Sequence, residues 1–169
     1  QTVIDVVPSK GTLPVLSTIL MTAENGVCSL SATDLELSVT TRRSMEAVEE
    51  GATTFPARKV FDIVRELPEG KLVVHEDGGK FTITSSFGEY SMQSIPSSEF
   101  PKMPTSLEGT NLKIDGDLLR RMTTKVAFAV HPDTTRPTLN SVSWRAADNE
   151  MIMVATDGHR LAKIAEKVE

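Results

Sequence analysis

Apolar residues recur along this chain with two different periods, and the changes of period divide it into elements. Val15 to Thr22 and Val27 to Ala32 read as strands, and Glu24-Asn25-Gly26 between them carries the Asn-Gly signal of a tight hairpin. Leu35, Leu37 and Val39 continue the alternation as a further strand, after which Glu46 to Gly51 reads as an acidic loop or strand edge. Val3, Ile4 and Val7 have helical spacing and mark the tail of a helix over Gln1 to Val7, which Pro8-Ser9-Lys10-Gly11 ends with turn chemistry. A second helix opens near Pro56, gathers Val60, Phe61, Val64 and Leu67 on one face, and stops at Leu67-Pro68-Glu69-Gly70. Lys71 to His75, Lys80 to Ser85 and Glu89 to Ser94 follow as short strands, Pro96, Pro101 and Pro104 mark a boundary, and Thr110 to Ile114 opens the next region as a strand. From about Asp117 to Val130, Leu118, Leu119, Met122, Val126, Ala129 and Val130 fill one arc of a helical wheel, with Arg120, Arg121 and Lys125 outside it.

The pattern repeats. Thr12 to Asp34 aligns without a gap on Thr135 to Asp157, at an offset of 123 residues. Thr12/Thr135, Pro14/Pro137, Leu16/Leu139, Ala23/Ala146 and Ala32-Thr33-Asp34/Ala155-Thr156-Asp157 are identical pairs. A 123-residue unit does not fit twice into 169 residues, so the expectation is a piece holding most of one domain, 1–104, and the first part of a second, 105–169. After the shared Asp the copies part: the first runs on as Leu35-Glu36-Leu37, a strand pattern, the second as Gly158-His159-Arg160-Leu161. A turn elaborated in one copy alone is where a site is expected.

Composition refines this only slightly. With 39% hydrophobic and 24% charged residues the chain has the makeup of a soluble globular protein with an adequate core, and no apolar run approaches the ~20 residues that span a bilayer. Cys28 has no second cysteine to pair with and reads as a small buried hydrophobe, which fits a reducing, cytoplasmic setting. A net charge of −5 argues against a protein that grips nucleic acid through an overall positive field. Charge is nevertheless uneven: Pro56 to Lys71 carries a net +1 and Leu112 to His131 a net +2, which leaves −8 on the remainder.

From the residues alone, Asp157-Gly158 reads as a tight turn with His159 and Arg160 solvated. A phosphate-ester hydrolase built on Thr156-Asp157-Gly158-His159-Arg160, or a repeat scaffold unconnected with DNA, are the alternatives. Neither metal-ligand spacing nor a phosphate-cradling Gly-rich loop accompanies the turn; His75 and His131 fall in unrelated elements.

Read together, Lys10-Gly11-Thr12-Leu13-Pro14, Ala32-Thr33-Asp34-Leu35-Glu36, Thr53-Thr54-Phe55-Pro56-Ala57-Arg58-Lys59, Leu67-Pro68-Glu69-Gly70, Glu99-Phe100-Pro101, Arg136-Pro137-Thr138-Leu139-Asn140 and Ala155 to Leu161 resemble the bacterial DNA sliding clamps, the β subunits of DNA polymerase III. The resemblance runs over essentially the whole chain. It implies an α+β DNA clamp fold of repeated domains, with antiparallel sheets outside and helices lining a ring closed by a head-to-tail homodimer. It further implies a non-catalytic processivity factor of the cytoplasm and nucleoid, without cofactor, metal or membrane attachment. The expected partners are double-stranded DNA, bound without regard to sequence, the catalytic subunit of DNA polymerase III, the clamp loader, and other polymerases and repair proteins that dock through short linear peptides. By the same resemblance Leu139, Thr156, Gly158, His159, Arg160 and Leu161 form one wall of the peptide groove, and Lys10, Arg58, Arg136, Pro137 and Thr138 lie at DNA. Lys10 stands where the family has Arg, and Pro137 and Thr138 stand where its best-known members carry aromatic rings.

Overall fold

The computed structural model describes residues 3–8, 13–46, 49–103 and 112–168. The chain divides into two compact units, Gln1–Ser106 and Leu107–Glu169.

In unit one a four-stranded antiparallel sheet has the order β3-β2-β1-β4, from β1 (Thr18–Glu24), β2 (Val27–Thr33), β3 (Ser38–Ser44) and β4 (Gly51–Pro56). Asn25 (φ 50°) and Gly26 (φ 72°) make the two-residue turn that joins β1 to β2, as the Asn-Gly signal predicts. A three-stranded sheet follows, β5 (Val73–Asp77), β6 (Lys80–Ser85) and β7 (Gly88–Gln93), with α1 (Ala57–Glu66) between the two sheets in sequence. Phe55 of β4 and Phe81 of β6 stack with centroids 4.8 Å apart, and Thr54 Oγ1 donates to Ile95 O (2.6 Å) and accepts from Ile95 N (3.0 Å). Val3, Val6, Val7, Ile19, Ala32, Ala57 and Ile83 complete this core among the described residues.

In unit two, β8 (Ser143–Ala147), β9 (Glu150–Thr156) and β10 (Leu161–Lys167) form an antiparallel sheet of order β10-β9-β8. Strict alternation in β9 buries Met151, Met153 and Ala155 against Met122, Val126 and Ala129 of the α2 (Gly116–Ala127) region. Asp115 caps α2, its Oδ1 accepting from Asp117 N and Leu118 N at 3.0 Å. The wheel's division holds: Met122, Val126 and Ala129 are buried and Arg120, Arg121 and Lys125 exposed. Arg120 pairs with Asp117 (3.3 Å), while Arg121 reaches Glu166 of β10 (2.9 Å).

The offset of 123 is structural as well as sequential. It carries β2 and β3 onto β9 and β10 residue for residue, and Asn25-Gly26 onto Asp148-Asn149, which take the same positive φ at 55° and 60°. It also carries the Val6 N to Val3 O and Val7 N to Ile4 O bonds onto Ala129 N to Val126 O and Val130 N to Ala127 O.

Several boundaries differ from the sequence reading. Pro14–Ser17 is a 3-10 turn, with Ser17 and Thr18 hydroxyls donating to Pro14 O and Val15 O at 2.6 Å, so the first strand begins at Thr18. The expected helix tail is the 3-10 turn Ile4–Val6, although Val3, Val6 and Val7 do face the core. Glu46 to Gly51 leads into a strand the sequence reading did not assign, Gly51–Pro56, which pairs with β1. Val64 of α1 is 41% exposed whereas Ala57 is buried, which moves the packed stripe toward the helix start. β5 begins two residues later than expected, at Val73. Residues 112–114 form no strand, and 110–111 lie outside the described residues. Cys28 is half-buried on β2, where burial raises its thiol pKa and keeps it protonated. Among the described residues no helix is long and apolar enough to cross a membrane.

Candidate functional site

The turn between β9 and β10 is built by two side chains. Thr156 Oγ1 donates to Arg160 O (2.7 Å) and accepts from Gly158 N (3.1 Å), and Asp157 Oδ1 accepts from His159 N and Arg160 N at 2.9 Å each. Asp157 Oδ2 takes the Arg160 Nε–H at 2.9 Å. The backbone N–H groups of Arg160 and His159, with the Arg160 side chain adding to them, hold the Asp157 carboxyl down at about 2. A group so depressed stabilises the fold fully above its ordinary value and loses that contribution only as pH falls through about 2, so the turn is intact throughout the neutral range.

The same turn exists in the first copy, which overturns the expectation of a strand through Leu35 and Leu37. Thr33 Oγ1 donates to Leu37 O (3.0 Å) and accepts from Leu35 N (3.0 Å), and Asp34 Oδ1 accepts from Glu36 N (3.0 Å) and Leu37 N (2.6 Å). Leu35 takes φ 80° where Gly158 takes φ 90°. Local side-chain bonds outweigh a short alternation, and the strand starts only at Ser38. The two copies therefore differ in what the turn presents: Leu35-Glu36-Leu37 in one, Gly158-His159-Arg160 in the other.

This geometry yields a paired expectation. Gly158→Ala places a Cβ at a left-handed φ, costing ~1–2 kcal/mol less ~0.4–1 kcal/mol regained from the unfolded chain, a net loss of about 1 kcal/mol. Leu35→Gly is expected to shift stability the opposite way. Thermal unfolding of both variants checks the signs; a destabilised Leu35→Gly protein would contradict the shared turn.

Of the expected groove residues, Thr156, Gly158, His159, Arg160 and Leu161 come together in this turn, and Leu161 is 64% exposed. Leu139 sits in the loop after α2, half-buried, its carbonyl accepting from His131 N at 2.9 Å. Among the described residues no hydrogen bond joins Leu139 to the turn. Asn140 Nδ2 donates to His131 O (2.6 Å) and Asp133 N to His131 Nδ1 (3.0 Å), so His131 organises this loop.

A residue outside the sequence reading belongs with these. Phe128, the C-cap of α2, is 59% exposed, and the Arg160 guanidinium lies 5.5 Å from its ring centroid. Its signal was available: an aromatic side chain falling outside the apolar arc of the helix.

The residues expected at DNA are scattered. Lys10 lies outside the described residues. Arg58 is exposed in the first turn of α1 and donates through Nη2 to Val7 O (3.3 Å). Arg136, Pro137 and Thr138 are exposed in the 131–141 loop, where Arg136 O accepts from Leu139 N and Asn140 N at 2.9 Å and Arg136 N donates to Asp133 O at 3.3 Å. The Thr135 hydroxyl and backbone N–H hold the Asp133 carboxyl below its usual range. A cavity of about 550 Å³ in unit two is lined by Arg145, Asp148, Glu150, Ile152 and Lys167, none of them an expected site residue.

The turn is poorly suited to hydrolysis. Both oxygens of Asp157 are engaged, and a carboxyl at about 2 is a weak general base; Asp34, held low by the N–H groups of Leu37 and Glu36, repeats the role of turn holder. Among the described residues no three His, Cys, Asp or Glu side chains are placed to hold a metal ion.

Comparison with known proteins converges on one family. Residues 1–104 match the family model of the DNA polymerase III beta subunit, N-terminal domain, and residues 113–169 match that of its central domain. The beta sliding clamp of Proteus mirabilis is 35% identical over 158 residues, covering 92% of this chain and 43% of that one. That of Escherichia coli K12 is 34% identical over 155 residues, 90% of this chain and 42% of that one. Among solved structures, the DNA polymerase III subunit beta of Pseudomonas aeruginosa superposes with a TM-score of 0.93 at 32% identity, over 98% of this chain and 46% of that one. The Bartonella birtlesii sliding clamp bound to griselimycin gives 0.86 at 34%, also over 98% and 46%. The chain spans less than half the length of these relatives.

Proposed function

The chain belongs to the family of the DNA polymerase III beta subunit, and from that premise we propose that it is part of a sliding clamp that encircles duplex DNA and tethers a polymerase to it. Residues 1–104 are assigned as domain one and 105–169 as the first part of domain two, with a third domain and a head-to-tail partner completing the ring in the full-length protein. The role is that of a non-catalytic processivity factor acting on the nucleoid in the cytoplasm.

The observation that carries this reading is the tandem match of two family domains to two copies of one structural repeat. The charge of the chain is compatible with it. A ring holds DNA by topology, so an overall negative protein suffices, and a few cations facing the duplex offset repulsion without reading bases. Lys10, Arg58 and Arg136 are assigned that role, with Pro137 and Thr138 beside them in place of stacking side chains. Arg120 and Lys125, exposed on α2, are suited to the same field.

Partners are assigned to the turn of Thr156, Gly158, His159, Arg160 and Leu161 together with Leu139, as one wall of a groove for short linear peptides of the polymerase catalytic subunit, the clamp loader, other polymerases and repair proteins. Exposed Leu161 supplies apolar surface, and Gly158 leaves open space above its Cα for a peptide backbone. Tethering of this kind acts through effective concentration and needs only modest affinity.

The test uses the full-length protein loaded on nicked circular DNA by an active clamp loader, followed by linearisation. Retention on circles and prompt loss after cutting is the expected result. Equal retention on both forms would indicate ordinary DNA binding, and absence from both would refute the clamp.

A further inference from the structure

The site turn contains a cation whose orientation is fixed from two sides. Arg160 Nε–H is taken by Asp157 Oδ2 at 2.9 Å, and the guanidinium carbon Cζ lies over the Phe128 ring, 5.5 Å from its centroid. These contacts come from different elements, the turn itself and the end of α2. The Asp157 side chain is only 15% exposed and already anchored by two backbone N–H groups, so it is a rigid post; Phe128 and Arg160 are 59% and 60% exposed, so the pair stands at the surface. With Nε used inward, the two terminal amino groups of the guanidinium remain as donors.

An unrestrained arginine loses rotamer freedom whenever it binds, and prior restraint removes that cost. A guanidinium also presents its donors in a fixed planar fork, so setting its plane sets the direction of every remaining N–H.

We propose that Phe128 and Asp157 are positioning residues that pre-orient Arg160 to donate hydrogen bonds to main-chain carbonyl or carboxylate oxygens of an incoming peptide. The inference rests on the peptide-groove reading above. The first copy has nothing comparable: Leu37 occupies the place of Arg160, and the same turn there offers no side-chain donor. The groups facing Arg160 differ in kind as well, since Phe128 is apolar and keeps its influence in salt, whereas the Asp157 pair weakens as it is screened.

The experiment tiles the catalytic subunit of the organism's DNA polymerase III as overlapping 12-residue peptides and takes the tightest binder to the full-length clamp as the probe. Phe128→Leu keeps the apolar bulk but removes the π face, and is expected to weaken the probe about three- to fivefold; Phe128→Tyr, which restores the face, is expected to stay within about twofold of the parent. Asp157→Asn retains the Oδ1 acceptor that holds the turn and loses the charge on the Arg160 side, with a similar expected loss. The deciding readout is the double variant. In an Arg160→Ala background, Phe128→Leu should have almost no further effect, because what it positions is gone.

An equal loss from Phe128→Leu with and without Arg160, or no loss at all, would overturn the positioning role while leaving the groove standing. Failure of the parent clamp to bind any peptide of the set would overturn the groove reading and this inference with it.

Discussion

Replacing Phe81 with Ala is expected to destabilise unit one by ~3–5 kcal/mol, a large share of what holds a domain of this size folded. Phe81 is 1% exposed on β6, and its ring stacks at 4.8 Å on Phe55 of β4, at the centre of the core that the two sheets share. Truncation removes the ring from the core, leaves a void between two sheets that are each held by their own ladders, and strands Phe55 without its partner. Phe81→Leu refills most of the volume and forfeits only the ring pairing and shape, at about 1 kcal/mol. Urea unfolding followed by circular dichroism separates the two. A Phe81→Ala protein within ~1 kcal/mol of the parent would mean that the sheets are held together elsewhere.

Thr54→Val is expected to cost ~2–4 kcal/mol although it changes no volume. The Thr54 side chain is fully buried, and its single hydroxyl satisfies both backbone groups of Ile95, donating to the carbonyl and accepting from the N–H. Valine preserves the packing and takes this partner from two half-buried backbone groups of Ile95, each loss carrying a penalty of ~1–3 kcal/mol. Thr54→Ser makes the opposite trade, keeping the hydroxyl and losing one methyl for about 1 kcal/mol. The order of the two variants is the measurement: a serine protein less stable than the valine protein would show that the methyl, not the hydroxyl, is what matters at this position.

Periodicity carried much of this fold, and its failures have physical causes. The buried face of α2 was legible because Met122, Val126 and Ala129 combine a clean helical period with burial on one side, whereas β9 was indicated only by the repeat that lays it on β2. The Asn25-Gly26 turn was legible because only a few residue types take two successive positive φ angles. Pro14 to Ser17 misled because Val15 and Leu16 are core residues, buried at 9% and 4% exposure, that reach the interior from a 3-10 turn rather than a strand. Gly51 to Pro56 was passed over because its ends carry the two residues least typical of strands, although its Thr and Phe fit one well.

The site divides in the same way. The Asp157-Gly158 turn could be read from the sequence, although the residues after Asp34 were expected as a strand, and the resemblance supplied the expectation of a peptide groove. The bonds that shape the turn could not be read, since they connect side chains to backbone groups two to four residues away and leave no periodic trace. Nor could the approach of Phe128 to Arg160, which depends on where the end of α2 meets a turn 32 residues later.

Leu35 at φ 80° shows that the turn keeps its shape without glycine. Its geometry is therefore written in the Thr-Asp pair, and the residues that follow are free to change without altering the backbone that displays them. The clamp repeat thus owns a socket with interchangeable contents. A chain that carries this socket more than once can devote one copy to recognition and leave another inert, which separates the acquisition of a binding surface from the preservation of the fold.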